Sequence, residues 1–121
     1  MSASVLSQNA IIEQIENYIP HWSFQDGALV RLYRTHNWKA TMMVVGTIGH
    51  MAEAAWHHPE LIVTYAAVEV RLNTHDAGGV TMKDVELARK IEDVICWQPA
   101  LDNGALEGTP DGPSAYIRYD E

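Results

Sequence analysis

The sequence is poor in several things, and each shortage excludes something. It holds a single cysteine, Cys96, so no intrachain disulfide can form, and a lone thiol fits a reducing cytoplasm. Its 8 lysines and arginines face 16 aspartates and glutamates, a formal net charge of −8. That balance lacks the basic footprint that neutralises phosphates, so direct nucleic-acid binding is not expected. No long apolar run is present. The most apolar stretch, within residues 40–56, is interrupted by Thr41, Thr47, His50 and Glu53 and is too polar and short for a membrane span. Met1-Ser2-Ala3-Ser4 shows no basic region followed by an apolar block, so no secretory signal is expected. Repeats, low-complexity tracts and a charged tail are also missing from the sequence.

What is there is a chain of 121 residues, 47% of them apolar, which suits one domain burying about two-thirds of its unfolded surface. Ser4 or Ser7 can cap a helix over roughly residues 7–18, with Ile11, Ile12, Ile15 and Ile19 as its apolar stripe and Pro20 as its stop. His21 to Phe24 reads as a short strand, Gln25-Asp26-Gly27 as a turn, and Ala28 to Thr35 as a strand with Leu29, Arg31 and Tyr33 on one face. Asn37 can cap a long helix from Trp38 to Ala55, buried along Val45, Ile48, Met51 or Ala52, and Ala55. Leu61 to Tyr65 and Val68 to Thr74 suit a hairpin turning at Ala66-Ala67, the second strand alternating Val68, Val70 and Leu72 with Glu69, Arg71 and Asn73. Ala77-Gly78-Gly79 breaks the chain. Thr81 and Asp84 then approximate a capping box for a helix to Cys96 that buries Val85, Ala88, Ile91 and Ile95. The order α-β-β-α-β-β-α predicts an α+β domain over residues 1–96, a four-stranded antiparallel sheet with helices on one face. Residues 97–121 read as a loop-rich extension, with Tyr116 to Tyr119 as a possible edge strand. The Met42-Met43 pair and the tryptophans read as core.

Six histidines are present, and their placement matters more than their number. His57-His58-Pro59 stands at a helix end, and His75-Asp76 at a strand end before a glycine pair. A hairpin between them returns His75 to the sheet end that carries His57 and His58, so three imidazoles can meet at one cleft. Imidazole donates or accepts a proton near neutral pH, which suits expulsion of hydroxide from a carbon that also bears nitrogen. Glu53, four residues before His57, can orient that ring if the helix reaches so far, and Asp84 can do the same for another histidine or simply cap its helix. Zinc is the rival use of clustered histidines, but adjacent imidazoles diverge and no His-x3-His or Cys-x2-Cys pairing is present, so neither a metal nor another cofactor is expected. Asp102-Asn103-Gly104 is a turn rather than a calcium loop. His21, His36 and His50 read as surface residues without a role.

The run Glu53-Ala54-Ala55-Trp56-His57-His58-Pro59-Glu60, then Tyr65, Asn73-Thr74-His75-Asp76-Ala77-Gly78-Gly79 and Asp84, resembles the signature of the pterin-4a-carbinolamine dehydratases, with a motif core over residues 53–84. Trp22, Leu29, Arg31, Tyr33, Trp38 and Ala52-Glu53 fit the weaker upstream pattern, and the likeness covers roughly residues 20–96. The resemblance implies the same α+β fold and dehydration of a 4a-hydroxytetrahydropterin to the quinonoid dihydropterin, which recycles tetrahydrobiopterin-type cofactor. It implies His57 and His75 as general acids at the 4a-hydroxyl, His58 chiefly as pterin ligand, and Glu53 and Asp84 as supports for these rings. His58, Pro59, Thr74, His75 and Asp76 are the pterin contacts expected on the same basis. A homodimer or homotetramer in the cytoplasm is expected as well. The competing function is a non-catalytic binding module on the same fold, since relatives serve as a dimerisation cofactor for a transcription factor or as carboxylase assembly factors. The intact His-His favours the enzyme. Two positions depart from the family pattern: Thr35 stands where an aromatic is usual, an exchange expected to loosen core packing, and Val63 where a polar residue is common.

Overall fold

The structure, a computed structural model, describes residues 4–113 and 115–119. Helix α1, Gln8–Tyr18, starts where the Ser7 hydroxyl accepts from the amide of Ala10 at 3.1 Å. Strands β1 (Ser23–Gln25) and β2 (Ala28–Thr35) form a hairpin whose turn residues, Asp26 and Gly27, both have positive φ (50° and 79°), the mirror-type turn that matches strand twist. The Asn37 side chain caps α2, Trp38–Ala55, by accepting from the amide of Ala40 at 2.8 Å. Strands β3 (Glu60–Thr64) and β4 (Ala67–Leu72) turn at Tyr65-Ala66, one residue earlier than the sequence suggests. Helix α3, Met82–Ile95, carries the full Thr81/Asp84 capping box, and the two-residue strand β5, Ile117–Arg118, closes the list.

The sheet is antiparallel in the order β1-β2-β4-β3, and β5 adds a fifth strand on the edge of β2 that β1 also uses. The register pairs Leu29 with Leu72, Arg31 with Val70 and Tyr33 with Val68, which puts these residues on one face. That face meets Ile11 and Ile19, Val44 and Ile48, and Val85, Ala88 and Ile91 in a single core, so the helices cover one side of the sheet as expected for α+β. Among the described residues no helix is long and apolar enough to cross a membrane.

Several packing expectations are corrected. In α1 the stripe is Ile11, Ile15 and Ile19, and Ile12, about 100° further round, is exposed. In α2 the buried line is Thr41, Val44, Ile48 and Met51-Ala52; Val45 is half-buried and Ala55 exposed. The cause is polar: the Thr41 hydroxyl donates to the carbonyl of Tyr65 at 2.8 Å and meets that of Thr35 at 2.6 Å, so α2 turns Thr41 inward and carries Val44 with it. Thr35, placed in the core where an aromatic was anticipated, is thus fully buried and hydrogen-bonded. Met42, Met43, Trp38, Trp56 and Trp97 are exposed, and Trp22 is the tryptophan in the core.

A second polar centre lies under the sheet. The carboxylate of Glu92, on α3, accepts from the Trp22 indole (2.9 Å), the Tyr33 hydroxyl (2.7 Å) and the Arg31 guanidinium at both oxygens (2.9 and 3.0 Å). Burial pushes its pKa up, but the bonds from Arg31 and Tyr33 outweigh burial and hold it at about 2. Burial and that negative charge in turn push the neighbouring Cys96 thiol up to about 12, which leaves it un-ionised at neutral pH and a poor nucleophile.

Candidate active site

Helix α2 ends on an unusual residue. Trp56 adopts the left-handed conformation (φ 51°, ψ 48°), and its amide closes the last turn onto the carbonyls of Ala52 and Glu53. The reversal separates the next two side chains. His57 turns toward α3, where its Nε2 lies 2.5 Å from Asp84 Oδ1. His58 turns back along α2, where its Nε2 lies 2.7 Å from Glu53 Oε1. The i, i+4 pairing expected for Glu53 and His57 is therefore corrected: the helix stops at Ala55, and Glu53 serves His58 instead.

Asp84 is fully buried and gathers three chain segments. Its Oδ2 accepts from the Thr81 amide and from the Thr74 hydroxyl, each at 2.8 Å, and the two threonine hydroxyls lie 2.7 Å apart. A carboxylate accepting at both oxygens fixes the imidazole tautomer: Nε2 of His57 carries the donated hydrogen, and Nδ1 is the nitrogen left for other chemistry. The His57 side chain keeps 15% of its surface exposed, whereas that of Asp84 keeps none, so the ring is held from a dry side and reached from a wet one. The His58–Glu53 pair is exposed on both sides and is a weak, solvent-screened contact.

The segment after β4 is shaped by backbone bonds. Thr74 donates its amide to Gly79 at 2.9 Å and bridges it as a one-residue ladder, enclosing the 3-10 turn His75–Ala77. A Cβ at Gly79 would lie 2.9 Å from Val5 Cγ1, so a larger residue there would have to displace the half-exposed Val5 side chain. This small closed loop displays His75 and Asp76 to solvent. His75 follows directly on Thr74, which shares Asp84 with His57, so it sits at the sheet end of the tandem histidines. Thr74, expected as a pterin contact, is itself buried with its hydroxyl engaged by Asp84, and supports the carboxylate.

Two hollows open at this end. His58 and Pro59 line a polar cleft of about 410 Å³ with Asp26, Glu60, Arg71 and Asn73. His57 and Trp56 line a larger, mostly apolar groove of about 680 Å³ between α2 and α3. Trp56, expected in the core with the other tryptophans, is instead exposed, and its ring lies nearly perpendicular to that of His58 with centroids 5.0 Å apart; its position between a helix end and His-His-Pro was the available signal. Among the described residues no group of three or more histidine, cysteine or acidic side chains could hold a metal ion.

The comparisons with known proteins identify the family. The family model for pterin 4 alpha carbinolamine dehydratase matches residues 4–94. A protein of Aquifex aeolicus is 40% identical over 90 residues, covering 74% of this chain and 90% of that protein. One of Opitutus terrae is 42% identical over 92 residues, covering 75% and 94%. Both are provisionally named pterin-4-alpha-carbinolamine dehydratases. The crystal structure of a transcriptional coactivator/pterin dehydratase from Brucella melitensis superimposes with a TM-score of 0.71 at 27% identity, covering 78% of this chain and all of that one. On its sequence, its fold and the spacing of its histidines, the chain belongs to the pterin 4 alpha carbinolamine dehydratase family.

Proposed function

We propose that the chain dehydrates a pterin 4a-carbinolamine to the quinonoid dihydropterin, with His57 and His75 as general acids and His58 as a pterin ligand. A protonated imidazole gives its proton to the 4a-hydroxyl, the C4a–O bond breaks and water leaves. The N5 lone pair forms the C4a=N5 double bond, and the N5 proton passes to a neighbouring imidazole or to water. The observation that carries the reading is the buried Asp84 carboxylate, which seats His57 on one oxygen and the Thr74 segment that leads to His75 on the other. Proton transfer needs such fixed geometry. Pro59 and Asp76 belong to the proposed pterin contacts by their place beside these rings. The lone Cys96 agrees with work in a reducing cytoplasm.

The test is direct: purified protein, without added metal, should accelerate dehydration of 4a-hydroxytetrahydropterin as followed by appearance of the quinonoid product. A His57→Ala/His75→Ala chain that turned over at the wild-type rate would refute the assignment.

The same reading includes self-association. Trp38, Met42 and Met43 expose apolar surface on α2, and Ile62 and Val63 do so on the edge strand β3. A homodimer or homotetramer is the expected species in sedimentation, and a monomer at all concentrations would argue against it. These surfaces also favour a second reading, a protein-binding role on the same fold. Stoichiometric capture of a protein partner together with absence of turnover would put that reading first. The 97–121 segment is read as an extension that adds β5 to the sheet edge.

A further inference from the structure

The groove beside His57 has a pattern of its own. On α3, Lys83, Leu87, Lys90 and Val94 line it, a spacing of four, three and four residues that keeps one helical face toward the hollow. On α2, Thr47, Met51 and Ala54 form the opposite wall. His57 meets Asp84 at one end, while Thr47 and Val94 mark the other, so the groove runs away from the imidazole along both helices. Its floor is apolar and its flank is cationic. Neither lysine takes part in an ion pair among the described residues, although Glu86 stands on the same flank. Two free lysines on one groove are notable in a chain with 8 basic residues against 16 acidic ones.

Trp56 stands at the mouth of this groove and is a separate observation. It holds a left-handed backbone, which glycine adopts freely and a bulky residue does not, and its side chain is 76% exposed. A largely exposed aromatic side chain kept on a strained backbone is poised for a ligand.

We propose that the α2–α3 groove is a subsite for the substituent on the substrate's pterin ring, with Trp56 as its stacking wall and Lys83 and Lys90 as anion-binding groups, so that the chain prefers a pterin whose side chain is apolar or aromatic and ends in a carboxylate or phosphate. The inference rests on the dehydratase reading and adds the class of substrate. The two lysines lie seven residues apart, about 10 Å along the helix, which is the scale of an aromatic ring followed by a carboxylate.

The experiment compares two stable probes by calorimetry at low and moderate salt: 6-methyl-7,8-dihydropterin, with a short uncharged substituent, and 7,8-dihydrofolate, with an aromatic, carboxylate-terminated one. Dihydrofolate should bind roughly tenfold more tightly or better, as expected for a charge-assisted bond, and the advantage should shrink with salt. Lys83→Gln with Lys90→Gln, both at exposed positions, should reduce the ratio of the two Kd values toward one, and Trp56→Gly, which suits the left-handed backbone, should reduce it as well. Equal affinities for the two probes, or an advantage that survives the double lysine change, overturns the subsite while leaving the dehydratase reading intact. Binding of neither probe, together with no dehydration, overturns both.

Discussion

Helix α3 carries two hydrogen-bonded carboxylates, one fully buried and one partly buried, and the proposed function puts them to opposite uses. Asp84, at its first turn, and Glu92, about two turns later, each accept hydrogen bonds from several chain segments. The partners differ. Glu92 is met by an arginine, a tyrosine and a tryptophan, none of which changes charge near neutral pH, so the cluster ties β2 and the residue before β1 to α3. Asp84 is met by two threonine-borne donors and one imidazole, and that imidazole is partly exposed to solvent. A buried acid becomes part of a reactive site when one of its partners can exchange a proton with the outside. Otherwise it is scaffold.

The contrast can be broken or sharpened by experiment. The largest effect is expected at the Asp84 centre: His57→Ala or His75→Ala should lower the dehydration rate by about 10²-fold or more; the thermal midpoint should hardly move for the exposed His75, and should fall for His57, whose loss leaves one oxygen of the fully buried Asp84 without its partner. Near-wild-type turnover in both variants would erase the distinction. At the other centre the pattern inverts. Glu92→Gln removes the partner of a buried guanidinium and should cost about 3 kcal/mol in urea unfolding, while the folded fraction keeps its turnover. A selective loss of turnover there would mean that Glu92 is not mere scaffold.

The pH dependence of stability separates the centres further. Folding holds the Glu92 carboxyl below its ordinary 4.5, at about 2, so its stabilisation is complete above about pH 4.5, fades on acidification and is gone below about pH 2. The wild-type thermal midpoint should fall across that window, and the Glu92→Gln midpoint should fall by less. The smallest effect is expected for Glu53→Gln, which breaks an exposed pair: up to about 1 kcal/mol in stability. A larger destabilisation would show that His58 is held more firmly than its exposure suggests.

Much of this was legible in the sequence. The alternation Val68, Val70, Leu72 and the line Val85, Ala88, Ile91, Ile95 are buried as their periods require, and the caps at Asn37 and Thr81 stand where short polar side chains can accept from free amides. The family pattern pointed to the fold; it also suggested one cleft for three histidines, whereas His57 and His58 line two separate hollows and His75 lines neither. What escaped was decided by tertiary polar bonds or by single backbone angles. The rotation of α2 follows from the Thr35–Thr41 contact between residues on different elements. The exchange of partners between Glu53 and Asp84 follows from one left-handed residue, Trp56, whose side chain gives no hint of that conformation. The exposure of Met42, Met43 and three tryptophans escaped because hydrophobic character alone does not say which side of a helix or loop faces the core.

Asp84 closes the first turn of α3 and seats His57 with the same carboxylate. Fraying of that one turn would let go of the imidazole while the sheet and the rest of the helix stood intact. Heat inactivation should accordingly run ahead of global melting, and amide protons near Thr81 should exchange with solvent in step with the loss of turnover.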